Sequence, residues 1–201
     1  PPLPGKTTVD PTLGRTLRDH VESDVPLPRV IMAFRTPPFS SDEFAVAEVS
    51  RALLGMGRAS RLYRRLVRER RIAKSVVTYV YPLLTGAAMI LTWATGYPGT
   101  DLEALEAALS EEIEGLVGAE QAEVDRAIAL AETDLVHTLE RVSSRADLLS
   151  MFDLYFDDPG RLNRELDRLR SVTVDQIRSF ARERLGPDNR AVLTYQPKAA
   201  G

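Results

Sequence analysis

The period of the apolar pattern changes four times along this chain, and those changes limit what it can fold into. Before Asp101 short β-branched and aromatic runs alternate with two helical segments; from Asp101 to Leu185 apolar residues recur at three- and four-residue steps throughout. A final run, RAVLTY, returns to the strand pattern. Arg15 to Glu22 and Arg29 to Thr36 are extended runs flanking a Pro26/Pro28 break. The RVIMAF stretch is apolar enough to be a buried strand rather than an edge. In SSDEFAVAEVSRALLGMG, Ser40 or Ser41 offers an N-cap, Asp42 and Glu43 suit a first turn, and Gly55 and Gly57 end the helix. A short basic helix, SRLYRRLVRERR, leads to a strand pair split by Pro82 and Gly86.

The helical region starts with TDLEALEAALSEEIEGLVG, capped at Thr100 and stopped at Gly118. Helices over about 121–142 and 144–156 follow, then RLNRELDRLRS, then TVDQIRSFARERLG with Thr173 as cap and Gly186-Pro187 as stop. The order of strands, helices, strands, helices and strand predicts an α+β fold. The expected architecture is a two-layer sandwich, a mainly antiparallel sheet with several helices on one face. The first residues, PPLPGKTTVDPTLG, hold four prolines and read as an interdomain linker. The expected organisation is a linker-like segment at 1–13, a single domain at 14–197 and a tail at 198–201.

Composition narrows function mainly by exclusion. The 201 residues suit one sizeable core, and a net charge of -3 argues against a nucleic-acid partner. Without cysteine there are no disulfides, thiolate metal sites or cysteine nucleophiles. No apolar run reaches the roughly 18 residues of a membrane span. Neither cysteine usage nor the start of the chain decides between cytoplasm and periplasm.

Two segments invite a functional reading. HTLER, at 137–141, is one letter from the zinc motif H-x-x-E-H, with Arg141 in place of the second histidine. Apolar residues at 124, 128, 131, 135, 139 and 142 form one stripe, which puts His137 on the opposite, polar face with Asp134 and Arg141. A guanidinium stays protonated and cannot bind zinc, and the one other histidine is His20. HTLER is therefore expected to be ordinary solvent-facing helix, and no catalytic or metal residue is assigned.

The second segment runs from Arg58 to Lys74, with eight basic residues and one acid, Glu69. On an α-helix Arg61, Arg64, Arg65 and Arg68 share a face, with Leu62 and Leu66 inside. A solvated face is one reading, since arginine stems cover apolar surface. An anion-binding surface facing a peptide or partner is the other, with Arg61, Arg64, Arg68, Arg71 and Lys74 as candidates. The segment lacks interleaved aromatics, which counts against nucleic acid.

GRASRLYRRLVRERRIAKSV resembles a hallmark segment of the pitrilysin/insulinase zinc metallopeptidases, the group that includes mitochondrial processing peptidase. The resemblance extends in order and spacing to PLPRVIMAFRTPP, PGTDLEALEAALSEEIEGL and VTVDQIRSFARERLGPDNRAVLTYQP, covering about residues 14 to 197. It implies a half-domain of an enzyme whose paired halves enclose a chamber where unfolded peptides are cut. Such an enzyme carries H-x-x-E-H and a distal glutamate in its N-terminal half, and this chain has no such motif. The resemblance is therefore to the C-terminal half of a bacterial member. Zn2+ is then expected in the parent enzyme and no cofactor in this chain. The expected partners are its own N-terminal half, a homologous chain and a peptide substrate.

In many such C-terminal halves an arginine and a tyrosine seven residues apart reach the zinc site and polarise the scissile carbonyl. In this sequence the corresponding positions hold Val67 and Lys74. The expectation is a non-catalytic half-domain contributing chamber wall and docking surface. The alternative is a catalytically dead homologue acting as an assembly or peptide-binding subunit.

Overall fold

The computed structural model describes residues 12–84 and 86–198. Most of the expected linker, residues 1–11, and the end of the tail, residues 199–201, lie outside the described residues. The strands are β1 (Arg15–Ser23), β2 (Arg29–Thr36), β3 (Ser75–Tyr81), β4 (Ala88–Thr95) and β5 (Asn189–Pro197). They form one sheet in the order β1-β5-β2-β4-β3. β2 is central and antiparallel to both β4 and β5, and β3 and β4 make the expected antiparallel pair. β1 departs from the antiparallel scheme and runs parallel to β5, with Arg15 opposite Asn189.

The helices are α1 (Phe44–Gly55), α2 (Leu102–Glu114), α3 (Gln121–Glu140), α4 (Val142–Phe156), α5 (Glu165–Arg170) and α6 (Val174–Arg184). They cover one face of the sheet, and the burial of β2 records it. Val30, Met32 and Phe34 are fully buried, while their neighbours Ile31, Ala33 and Arg35 are half-buried. Side chains alternate across a strand, so only a sheet covered on one side gives that pattern. The core joins these residues to Val49 and Leu53 of α1, Leu105 and Leu109 of α2, and Ile177 and Phe180 of α6. The fold is α+β, as the order of sequence patterns implied. Among the described residues no helix is long and apolar enough to cross a membrane.

Several local expectations need correction. Asp101, not Thr100, caps α2: its carboxylate accepts from the N–H groups of Glu103 and Ala104. The Thr100 hydroxyl is already engaged, accepting from the Tyr97 N–H at 2.8 Å. α1 begins only at Phe44, because residues 41–43 form a tight turn in which Ser41 accepts from Glu43. The stripe on α3 ends before Val142, which starts α4 and is 72% exposed. RLNRELDRLRS divides into a 3-10 turn at Pro159–Arg164 and the short α5. At α6 the expected cap holds, with Thr173 and Gln176 forming a reciprocal capping box.

Two contacts fix how the layers meet. Gly55, the last residue of α1, lies against β3, where an added Cβ would fall 2.5 Å from the Thr78 hydroxyl oxygen. The buried Asn189 side chain donates to the carbonyls of Arg35 and Arg184, each at 2.7 Å, and accepts from the Leu13 N–H at 3.1 Å. It thereby ties the end of β2, the end of α6 and the entry to β1 to the first residue of β5.

Candidate functional site

The basic segment is not the regular α-helix its spacing implied. Tyr63–Glu69 winds as a π-helix, and the Arg70 N–H reaches back five residues to the Arg65 carbonyl at 2.9 Å. The wider turn keeps Leu62 and Leu66 fully buried but breaks the single face on which Arg61, Arg64, Arg65 and Arg68 were grouped. The segment closes on Arg71, whose φ of 53° lies in the left-handed region. The N–H groups of Ile72 and Ala73 both bond the Leu66 carbonyl there.

The arginines divide into two sets. Arg61 turns inward: its guanidinium binds both Glu123 oxygens, at 3.1 and 2.6 Å, and donates to the Gly115 carbonyl at 2.8 Å. Both side chains of that pair are only 13% exposed, so Arg61 clamps the segment to the joint between α2 and α3. Burial pushes the Glu123 carboxyl up, but the Arg61 hydrogen bonds, the Glu120 N–H and the Arg61 charge together hold it below its ordinary value.

Glu69 pairs with Arg65 at 2.7 Å and lies 3.7 Å from Arg64, and Arg70 pairs with Glu111 at 2.7 Å. Glu112 sits between Arg65 and Arg70; burial raises its carboxyl, against the pull of both cations. The exposed Arg58, Arg68, Arg71 and Lys74 have no carboxylate partner among the described residues. Of the five candidates, Arg61 is thus internal and Arg64 is near an acid. Arg68, Arg71 and Lys74 offer uncompensated charge.

The two positions at which the resemblance places an Arg/Tyr pair are differently used. Val67 is half-buried and packs against the core, so it presents no donor. Lys74 is exposed just before β3, its backbone N–H bonded to the Thr95 carbonyl at 2.7 Å. HTLER is surface helix: His137 lies 3.1 Å from Glu140, its side chain 69% exposed, and Arg141 follows the last residue of α3. His20 belongs to β1 and bonds the Thr194 hydroxyl at 2.8 Å. Among the described residues no three histidine, cysteine or acidic side chains are grouped to hold a metal ion, so these residues do not fit zinc.

Sequence reading missed the outer face of the sheet. Following the registers, Leu193, Ile31, Trp93 and Val77 make one row, and Leu17, Ala191, Ala33, Leu91 and Tyr79 the next. Tyr79 and Tyr81 are 55% and 52% exposed, and among the described residues no helix covers these rows. The alternation in SVVTYVY and AMILTWAT carried the signal, with aromatic residues at positions facing away from the core.

The comparisons agree with this architecture. A protease from Helicobacter pylori superposes with a TM-score of 0.84 at 23% identity, over 94% of this chain and 46% of that one. The inactive peptidase domain of a candidate zinc protease from Bordetella parapertussis gives 0.76 at 23% identity, over 86% of this chain and 94% of that domain. A chain of complex III from Candida albicans gives 0.76 at 16%, over 91% of this chain and 46% of that one. The chain thus spans about half the length of the Helicobacter and Candida relatives. No curated protein matches it. The model of the peptidase M16 inactive domain matches residues 1–130, and the chain belongs to that family.

Proposed function

We propose that this chain is the non-catalytic half of a zinc-dependent peptidase, lining one wall of an enclosed chamber and docking against a homologous half. The observation that carries this reading is the uncovered sheet face, with Tyr79, Tyr81, Trp93, Leu91 and Ile31 in adjacent rows. A face of that kind gains from being enclosed, and its apolar and aromatic side chains suit contact with an unfolded peptide or a partner surface. The family match and the names of the relatives support the peptidase reading, and the 46% coverage of the Helicobacter protease supports a half-domain role. Zinc and the attacking water would belong to the other half. This chain would supply shape and, through Arg68, Arg71 and Lys74, positive charge for acidic peptide side chains or a partner surface.

The test is made on the full reading frame with its partner chain. Zinc content and hydrolysis of an unfolded acidic peptide are compared with those of Arg68→Glu and Lys74→Glu variants. The expected result is bound zinc and cleavage, with both variants losing several-fold in kcat/KM on the acidic peptide and little on a neutral one. An assembly that binds no zinc and cuts nothing would leave the second reading, a scaffold subunit, which the likeness to a complex III chain favours.

A further inference from the structure

Val25, Pro26 and Leu27, between β1 and β2, border a cavity of about 230 Å3 at one end of the uncovered sheet face. Arg29, Ile31, Thr95 and Tyr195 complete its lining. The volume falls below the roughly 300–1,000 Å3 of small-molecule sites and suits a single amino-acid residue.

The strand registers put its polar side chains in one row. Arg29 stands opposite Tyr195 on one side and Thr95 on the other, and Ser75 is opposite Thr95. Each carries a hydrogen-bond donor and none is a carboxylate. Among the described residues, the side chains of Arg29, Thr95 and Tyr195 have no hydrogen-bond or ion-pair partner. Thr95 is only 7% exposed, so the cavity is where its hydroxyl can find one. Asp24, the acid nearest Arg29 in sequence, makes no ion pair among the described residues and does not line the cavity. Asp19, the one acid among the outward-facing strand residues, lies two strands away and accepts from the His20 N–H at 2.9 Å.

An unpaired guanidinium beside two unpaired hydroxyls complements a carboxylate. The apolar wall beside them calls for an apolar group close to that carboxylate. The last residue of a peptide has this form, whereas an acidic side chain within a peptide brings the charge without the apolar branch.

We propose that this cavity holds the C-terminal residue of a peptide when that residue is apolar. Its carboxylate is bound by Arg29, Thr95 and Tyr195, and its side chain packs on Val25, Leu27 and Ile31. The site rests on the reading of the outer face as a peptide-facing wall. It fails separately from that reading, because binding is measured on this chain without zinc and cleavage on the full assembly.

The probe is acetyl-alanyl-alanyl-leucine, titrated into the 201-residue chain at pH 7 and followed by calorimetry or amide NMR shifts. Three peptides are compared with it: its C-terminal amide, acetyl-alanyl-alanyl-glycine, and acetyl-alanyl-glutamyl-alaninamide. The leucine peptide with its free carboxylate is expected to bind saturably and at least about tenfold more tightly than each of the three. Arg29→Gln is expected to cut its preference over the amide below about threefold. Val25→Trp, which enlarges a wall residue outside the strands, is expected to abolish binding while the unfolding midpoint stays in place. Absence of saturable binding, equal affinity for the amide or the glutamate peptide, a preference that survives Arg29→Gln, or binding that survives Val25→Trp would each overturn the assignment.

Discussion

At the scale of single residues, Arg61 shows how a side chain in a run of surface charge becomes internal. Its bidentate pair with Glu123 and its bond to the Gly115 carbonyl replace water around a largely buried guanidinium. Removing it leaves a carboxylate and a carbonyl without their donor, so Arg61→Ala is expected to cost about 2–4 kcal/mol in urea unfolding at pH 7. The cost has a pH signature. Because Glu123 is depressed in the folded chain, its stabilisation is present above the unfolded carboxyl value of about 4.3 and is lost as pH falls through the lower folded value. Glu112 has the opposite sign: its raised carboxyl favours the folded state at low pH, and that contribution is lost as pH rises from about 4.3 through the folded value. Relative to wild type, Glu123→Gln should therefore lose its penalty on acidification. Glu112→Gln should gain relative stability as pH rises above about 4.3. Parallel pH profiles for the two variants would contradict this account.

At the scale of elements, the π-turn and the α1–β3 contact depend on geometry that spacing does not display. The sequence places basic residues at positions 61, 64, 65 and 68, and an α-helical period puts them together. One extra residue in the turn regroups them, and Arg71 in the left-handed region then redirects the chain into β3. That choice is made by burying Leu62, Leu66 and Ala73, all fully enclosed, against elements distant in sequence. Gly55 was legible as a helix stop, but not as the point where α1 touches β3. Gly55→Ala places a methyl against the Thr78 side chain and backbone N, at 2.5 to 3.0 Å. Because backbone is among the contacts, the strand must shift, and a loss of about 1–3 kcal/mol is expected from the unfolding midpoint. A neutral substitution would show that the two elements are looser than their spacing indicates.

At the scale of the whole molecule, the layers were readable because each stretch keeps one period, and RVIMAF read as a buried strand, which the sheet places at its centre. Pairing was less readable. Nothing in RTLRDHVES announces a parallel partner near the other end of the described chain, since strand pairing is set by tertiary packing rather than local pattern. Arg51 with Asp134 and Arg61 with Glu123 were hidden for the same reason. With β5 inserted between β1 and β2, a chain ending at Asp188 would leave both neighbours without their ladder and Asn189 absent from its three bonds. Such a chain is expected to show no cooperative urea transition, as read by circular dichroism.

That same pairing sets a timetable. His20 and its partner Thr194 are 174 positions apart, which at about 5–20 residues per second means a delay of roughly 9 to 35 s during synthesis. Throughout it β1 has emerged without β5, its ladder partner among the described residues. Its composition fits the delay: Arg15, Arg18, Asp19, His20 and Glu22 make it a poor template for pairing with another nascent chain. β2, apolar and far more adhesive, waits less, because β4 arrives well before β5. The last of these five strands to be made therefore closes the sheet by entering a slot whose two sides were left reactive to very different degrees.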